Sequence, residues 1–316
     1  MYDVTTQSLR AVPWYAEALL QELDRLVDLA WEPGWAPMAL GELVGLCRQL
    51  REGHDRQDWL DIRAMLRAHP INRLMREDPL VFHAGKPDAV VRDLLMGYPE
   101  AEALVNGTSR AGRDLFAASR SFGWMAALGH RDAYLGRVAD AVALEHPQAE
   151  LLTLGAGHLR EAWGLGAPAS LRRWAVVELD ASRRGTMRNG LPAGLPLQPL
   201  RCSLRGFARR PYGRGCFDLI CLPALPEGWD IPATSELIAA AFSVLKPGGR
   251  LALCAPAEAP TEAAWMEVFM DVTPTWRSVR EVEVLLGRVP AAECADRRVF
   301  HSLDGRMIHA ILKRRG

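Results

Sequence analysis

The chain has 316 residues, with 38 lysines and arginines against 38 aspartates and glutamates, and 49% of it is hydrophobic. That length exceeds one ordinary core and fits two domains, and the apolar and charged fractions are those of a folded protein, not a disordered one. A formal net charge of zero excludes a global electrostatic drive toward nucleic acid or a membrane surface.

The first twenty residues are interrupted by Asp3, Arg10, Pro13 and Glu17, so they lack the basic and apolar regions of a secretory signal. The longest apolar candidate, Leu237 to Leu245, falls far short of the roughly 18 residues of a membrane span. The six cysteines include no CxxC pair, and Cys216 and Cys221 have no partner pair at zinc spacing, which leaves reduced core thiols and no metal. A cytoplasmic protein without a membrane span is expected.

Up to about residue 147 the periodicity is helical. Val12 to Ala30 repeats apolar residues at three-and-four spacing through Leu19, Leu20, Leu23, Leu26 and Val27, which buries one face. Leu40 to Leu50 and Trp59 to Leu66 continue it, and Arg113 to Ser121 and Arg131 to Leu144 add two more helices. Proline and glycine punctuate at Glu32-Pro33-Gly34-Trp35 and His69-Pro70. Trp31, Trp35, Trp59 and Trp124 supply aromatic bulk, which belongs to a core more often than to a pocket. After Pro147 short apolar runs alternate with helical segments, the pattern of βαβ units around a parallel sheet. The expected strands are Leu151–Leu154, Trp174–Leu179, a third-strand region over Leu200–Leu204, Phe217–Leu222, Arg250–Cys254 and Met307–Lys313, with a helix over Ala233–Leu245. The reading is therefore an α/β Rossmann-like sheet with an N-terminal all-helical domain, residues 1–147 and 148–316.

Four motifs in the second half carry chemistry. In Leu154-Gly155-Ala156-Gly157-His158-Leu159-Arg160-Glu161 a buried strand meets a glycine turn and then a helix start. Glycine lets a ligand approach the backbone, and a helix start offers free N–H groups. A dinucleotide fingerprint needs a small residue three positions past Gly157. Arg160 stands there, so a nicotinamide or flavin dinucleotide is disfavoured and a shorter GxG ligand, or a plain structural turn, remains. Next, Glu178-Leu179-Asp180 ends the following strand, with Asp180 23 residues after Gly157, the spacing of an acid that accepts ribose hydroxyls. Asp180 at the tip is the first choice and Glu178, two residues back, shares its face; a helix-capping aspartate is the plainer alternative. Third and fourth are Phe217-Asp218-Leu219-Ile220, whose strand ends at Leu222, and Leu245-Lys246-Pro247-Gly248-Gly249, where proline stops a helix and glycine turns the chain into a strand. Arg209, Arg210 and Arg214 form a local basic cluster that reads as a solvated loop.

This ordered series resembles the class I S-adenosylmethionine-dependent methyltransferases over residues 148–255. The string Leu154 to Ala162 resembles more narrowly a bacterial group assigned to biosynthesis of a 3-hydroxypalmitic acid methyl ester. That group carries a helical N-terminal domain with an HP…DP…KP pattern, matched by His69-Pro70, Asp78-Pro79 and Lys86-Pro87, and Arg298-Val299-Phe300 before Asp304-Gly305 fits its tail. The group's glycine–tyrosine–glycine–aspartate segment is replaced by Asp88-Ala89-Val90-Val91. The resemblance implies S-adenosylmethionine as cofactor, held by Gly155, Ala156, Gly157, Glu178 and Asp180, with Leu204, Arg205 and Leu222 around the adenine. It also implies a helical lid and methyl transfer to a carboxylate of a small-molecule or peptide acceptor, without nucleic acid; homodimerisation stays open.

A carboxylate is already ionised and needs no base, whereas a hydroxyl or amine acceptor usually does. His158 beside the turn is the candidate base, with His69 and His83 behind it, although a satisfied structural histidine is at least as common. Arg160 is a candidate fork for an acidic group, and Glu161 favours a helix N-terminus in any case. A retired methyltransferase fold acting as a scaffold is the reading from another class, since Thr153 stands where an acid is common.

Overall fold

The computed structural model describes residues 14–84, 90–178, 191–212 and 215–316. The chain forms two compact units, each built from three segments. One comprises residues up to 84, 102–120 and 261–272; the other comprises 85–101, 121–260 and 273–316. The units therefore do not divide at a single point. The sheet begins where the sequence texture changes, near residue 148, but the second unit also takes in helical segments that precede it.

The first unit is helical. It contains α1 (Trp14–Trp31), α2 (Ala36–Gly53), α3 (Arg56–Ala68), α4 (Ile71–Met75) and α5 (Pro79–His83). Asp55 and Asp78 start α3 and α5 by accepting backbone N–H groups, which satisfies donors that the first turn leaves free. The apolar stripe read from α1 is buried at Leu19, Leu23 and Leu26. Residues 261–272 join this unit through Arg63, which contacts Glu267 at 3.1 Å, and Arg67, which donates to the Val268 carbonyl at 2.7 Å.

The second unit holds α6 (Val90–Met96), the start of α7 (Pro99–Asn106), α9 (Gly123–Glu145) and the sheet, while α8 (Arg110–Ser119) belongs to the first. The strands are β1 (Glu150–Leu154), β2 (Arg173–Val177), β3 (Leu197–Leu200), β4 (Phe217–Leu222), β5 (Leu245–Pro256), β6 (Cys294–His301) and β7 (Met307–Arg314). Their order is β3-β2-β1-β4-β5-β7-β6. The first five are parallel, and β7 runs antiparallel to both β5 and β6. This is the expected Rossmann-like α/β class with helices preceding the sheet.

Alternation along the strands builds two cores. Leu152, Ile220, Leu251 and Ala310 face one way, onto Leu237, Ile238 and Phe242 of α11 (Ile231–Ser243). Leu151, Trp174, Leu219 and Ala252 face the other, onto Leu135, Ala139 and Val142 of α9. Each such leucine or isoleucine, fully buried, is worth about 1.5–3 kcal/mol.

Three local expectations change. The third-strand region over Leu200–Leu204 lies too late: β3 ends at Leu200, Ser203 accepts the Gly206 N–H, and Leu204 opens α10 (Leu204–Arg209). The segment after the glycine turn is a single 3-10 turn, Arg160–Gly164, not an extended helix. Leu159 stands in the left-handed region at φ 54°, and Gly164, Gly166 and Pro168 supply no continuing helix former. At the Lys-Pro-Gly-Gly segment α11 ends at Ser243, and β5 starts at Leu245 with a bulge opposite Phe217–Leu219. Gly248 has φ +79°, and a Cβ on Gly249 would stand 2.8 Å from the Phe217 carbonyl, so both positions demand glycine.

Candidate active site

In a parallel sheet of this kind ligands bind beyond the carboxyl ends of the strands, where the crossovers diverge from β1 and β4. The glycine turn sits at that point. Gly155 and Gly157 have φ +75° and +55°, a conformation that side chains rarely adopt. The Gly155 N–H donates to the Val177 carbonyl at 3.0 Å, tying the turn to the end of β2. Among the described residues, apart from its chain neighbours, the one atom within 4 Å of where Gly155 would carry a Cβ is Leu204 Cδ1, at 4.0 Å. The turn thus lies beside the first residue of α10.

Glu178 follows β2 directly and accepts the Gly157 N–H at 3.0 Å. Of the two acids that the sequence offers for ribose hydroxyls, this one lies against the turn; Asp180 lies outside the described residues. Leu222 ends β4 and is buried. Arg205 is exposed, with its guanidinium 4.4 Å from the centre of the Trp229 ring.

His158 and Arg160 meet on one residue that the sequence reading missed. His158 Nδ1 is 2.8 Å from Asp93 Oδ2. Arg160 donates from Nε to Asp93 Oδ1 at 2.5 Å and from Nη2 to Oδ2 at 2.8 Å. Burial pushes the Asp93 carboxyl up, but the hydrogen bonds from Arg160 and His158 outweigh it and hold it below the usual carboxylate range. An ionised carboxylate only accepts, so Nδ1 carries the proton and Nε2 is the basic nitrogen of neutral His158. The Arg160 guanidinium also lies 4.3 Å from the centre of the Tyr98 ring.

Beneath this cluster lies a second ionic layer. Arg92, the neighbour of Asp93 on α6, donates to the Ala156 carbonyl at 3.0 Å and stands 3.5 Å from Asp132 of α9. Glu161 accepts from the Thr153 hydroxyl at 3.1 Å, and Trp174 Nε1 donates to that hydroxyl at 3.1 Å. Burial pushes Glu161 up to about 7 against the pull of Arg92. Helix α9 approaches this layer closely, since a Cβ on Gly136 would stand 2.8 Å from the Glu161 carbonyl.

A signal for the missed residues does exist. Val90, Val91, Leu94 and Leu95 bracket Arg92-Asp93 at helical spacing, so a charged pair interrupts an otherwise apolar helix. His69 is placed elsewhere, in the helical unit, where Nδ1 accepts the Ile71 N–H at 3.2 Å and Nε2 faces Asp24 at 3.2 Å. That is a satisfied structural histidine; His83 contacts the Phe82 ring edge-on in the same unit. No cluster of three or more metal-type ligands occurs among the described residues, and no described helix is long and apolar enough to cross a membrane. All six cysteines are free thiols.

No protein-family model matches the chain, and no curated protein matches it significantly. Solved structures do. A Bordetella parapertussis protein described as a possible exported protein aligns with a TM-score of 0.60 at 13% identity, over 97% of this chain and 100% of that one. The pyocyanin biosynthetic protein PhzM aligns at 0.46 and 17% identity, over 94% and 99% of the two chains. The N-methyltransferase NodS of Bradyrhizobium japonicum WM9, in complex with S-adenosyl-L-homocysteine, aligns at 0.43 and 16%, over 61% and 89%. At these identities the first of these likenesses is one of fold, and it extends over nearly the whole chain.

Proposed function

We propose that the chain is an S-adenosylmethionine-dependent methyltransferase. One observation carries the reading: a left-handed glycine turn stands at the switch point of the sheet with the Glu178 carboxylate 3.0 Å from its second glycine. Gly155, Ala156 and Gly157 would hold the cofactor, and Glu178 and Asp180 would receive the ribose hydroxyls. A carboxylate has about four lone-pair positions, so Glu178 can keep the Gly157 N–H and still accept. Leu204, Arg205 and Leu222 would flank the adenine. When bound, the cofactor supplies an activated methyl group. The protein's part is to orient donor and acceptor and to exclude water.

The resemblance to the methyl-ester group points to a carboxylate oxygen of a small-molecule or peptide acceptor, which needs no base. A second reading, transfer to a hydroxyl or amine, is favoured by the contact of His158 with Asp93. A carboxylate on Nδ1 fixes the imidazole with its basic Nε2 free to take a proton, the logic by which a buried aspartate orients a general base. In that reading Arg160 keeps Asp93 ionised and does not itself touch the acceptor.

Isothermal titration with S-adenosylmethionine and S-adenosylhomocysteine tests the cofactor site. Micromolar binding is expected for the wild type, lost in Gly155→Val, whose β-branched side chain cannot adopt φ +75°, and weakened in Asp180→Ala. Absence of binding to folded wild type would sink the proposal. Once an acceptor is found, His158→Asn separates the two readings: a carboxylate acceptor retains its rate, while a hydroxyl or amine acceptor loses about 100-fold or more.

A further inference from the structure

The chain's zero net charge conceals one strongly one-sided stretch. Between Asp180 and Asp218 lie 37 residues with eight arginines and no lysine, aspartate or glutamate. The remainder of the chain is correspondingly acidic. The described part of the stretch forms a flank of the sheet unit, because β3 is an outer strand and α10 follows it.

On that flank Arg201, Arg205, Arg209 and Arg210 are all exposed, and among the described residues none of them is held by a carboxylate. Other exposed arginines of the same unit do find acids: Arg172 approaches Glu150 at 3.7 Å, and Arg298 meets Asp296 at 3.1 Å. Arg205 and Arg209 are one turn apart on α10 and share a face. Tyr212, two residues beyond Arg210, is 48% exposed. The acids on the adjoining segment are Glu227 and Asp230. Asp230 is engaged in capping α11, accepting the Ala233 N–H at 2.8 Å, so Glu227 is the one that tempers the flank. Through Leu204 the flank adjoins the glycine turn.

Guanidiniums with no described carboxylate partner, on a segment that also exposes an aromatic ring, match phosphates and bases better than they match an acidic protein. The planar fork takes two phosphate oxygens at once and stacks on flat groups, and an exposed ring gives a base a platform. The secondary structure selects the strand state. Helix α10 has six residues, too few to read a duplex groove as a recognition helix does. We propose that this flank binds single-stranded nucleic acid, with phosphates on Arg201, Arg209 and Arg210 and a base on Tyr212. The zero net charge that argues against nucleic acid for the whole chain does not hold locally. Binding of this kind goes beyond methyl transfer and does not depend on it.

The test is fluorescence anisotropy of a labelled single strand of roughly 16 nucleotides, as RNA and as DNA, titrated with the full chain. The expected dissociation constant is about 1–100 µM at about 50 mM salt, weakening steeply toward 200 mM. Replacing three arginines by glutamine (R201Q/R209Q/R210Q) is expected to weaken binding about tenfold or more and to reduce the salt slope by about 2. The triple R48Q/R56Q/R288Q removes the same charge from exposed positions elsewhere and is expected to leave affinity within about twofold. Matching melting temperatures, and unchanged titration with S-adenosylmethionine, show that the flank variant is folded. Equal binding of RNA and DNA, or preference for RNA, supports the proposal. It is overturned if the wild type binds neither strand at low salt, if both triples weaken binding equally, if duplex is preferred, or if polyglutamate competes as well as RNA. Failure to bind the cofactor would leave these outcomes untouched.

Discussion

Glu161 sits wholly buried, held by the Thr153 hydroxyl and its own backbone N–H, while its Oε2 has no hydrogen-bond partner among the described residues. Its carboxyl is pushed up from 4.5 to about 7 by burial, so folding takes up a proton in that window. Its contribution to stability is therefore greatest below pH 4.5, falls as the pH rises toward 7, and is level above. Glu161→Gln abolishes that slope. Its advantage over wild type is expected to grow from nothing near pH 4.5 to the order of 3 kcal/mol at pH 8, read from urea midpoints; a constant offset across the range would refute the assignment. Space discriminates equally sharply among glycines. Gly136→Ala forces a methyl against the Glu161 carbonyl, 2.8 Å from the ideal Cβ position, and should cost about 1–3 kcal/mol. Gly41→Ala and Gly45→Ala meet nothing within 4 Å inside α2 and should each stabilise by about 0.5–1 kcal/mol.

At the scale of elements, chemistry at the ends and periodicity in the middle explain what could be read from sequence. The strand into Gly155 and the FDLI strand are buried along nearly all their length, so apolar residues dominate them despite Glu150, Thr153 and Asp218. Helix α11 declares its start through Asp230 and Pro232, and Asp230→Ala should cost about 1 kcal/mol in a thermal melt. Strand β6 was not legible because Asp296, Arg297 and Arg298 leave its exposed face without apolar alternation; among the described residues it pairs with β7 alone. Helix α6 is a different case. It is seven residues long, and apolar spacing marks it as a helix, but its charged contacts with a turn some 60 residues later lie beyond what periodicity can foresee. The same contacts make a testable element of it. Asp93→Asn leaves Arg160 buried beside a neutral partner, so α6 amides should exchange with solvent faster while those of β4 keep their protection.

Summed over the described residues, proton linkage has an unusual sign. Asp78 is pushed up to about 7 by burial, against its bonds to Ser119 and the Leu80 N–H, and behaves as Glu161 does. Burial drives His309 down to about 4, partly offset by Asp304. Its contribution is complete above pH 6.5 and is lost as the pH falls toward 4. Between pH 5 and 6.5 two groups thus gain a proton on folding and one sheds it. The net uptake is about one proton, or about 1.4 kcal/mol lost per unit of rising pH. Wild type is expected to be more stable at pH 5 than at pH 6.5, Glu161→Gln nearly flat, and Asp78→Asn combined with Glu161→Gln to slope the other way. The general architecture at this scale, helices before a Rossmann-like sheet, was legible because texture changes near residue 148. The partition into compact units was not, since residues 102–120 and 261–272 carry no local mark of where they fold.

That threading bears on the order of events while the polypeptide is being made. The helical unit needs residues 261–272, whose Glu267 and Asp271 meet Arg63 and Arg67, although most of it has left the ribosome by residue 120. At roughly 5–20 residues per second, the intervening stretch takes on the order of ten seconds or more to emerge. For that interval the early helices wait incomplete, their apolar faces within reach of a holdase. The birth of this protein is therefore a period of exposure, ended by a late segment that arrives to close what was begun first.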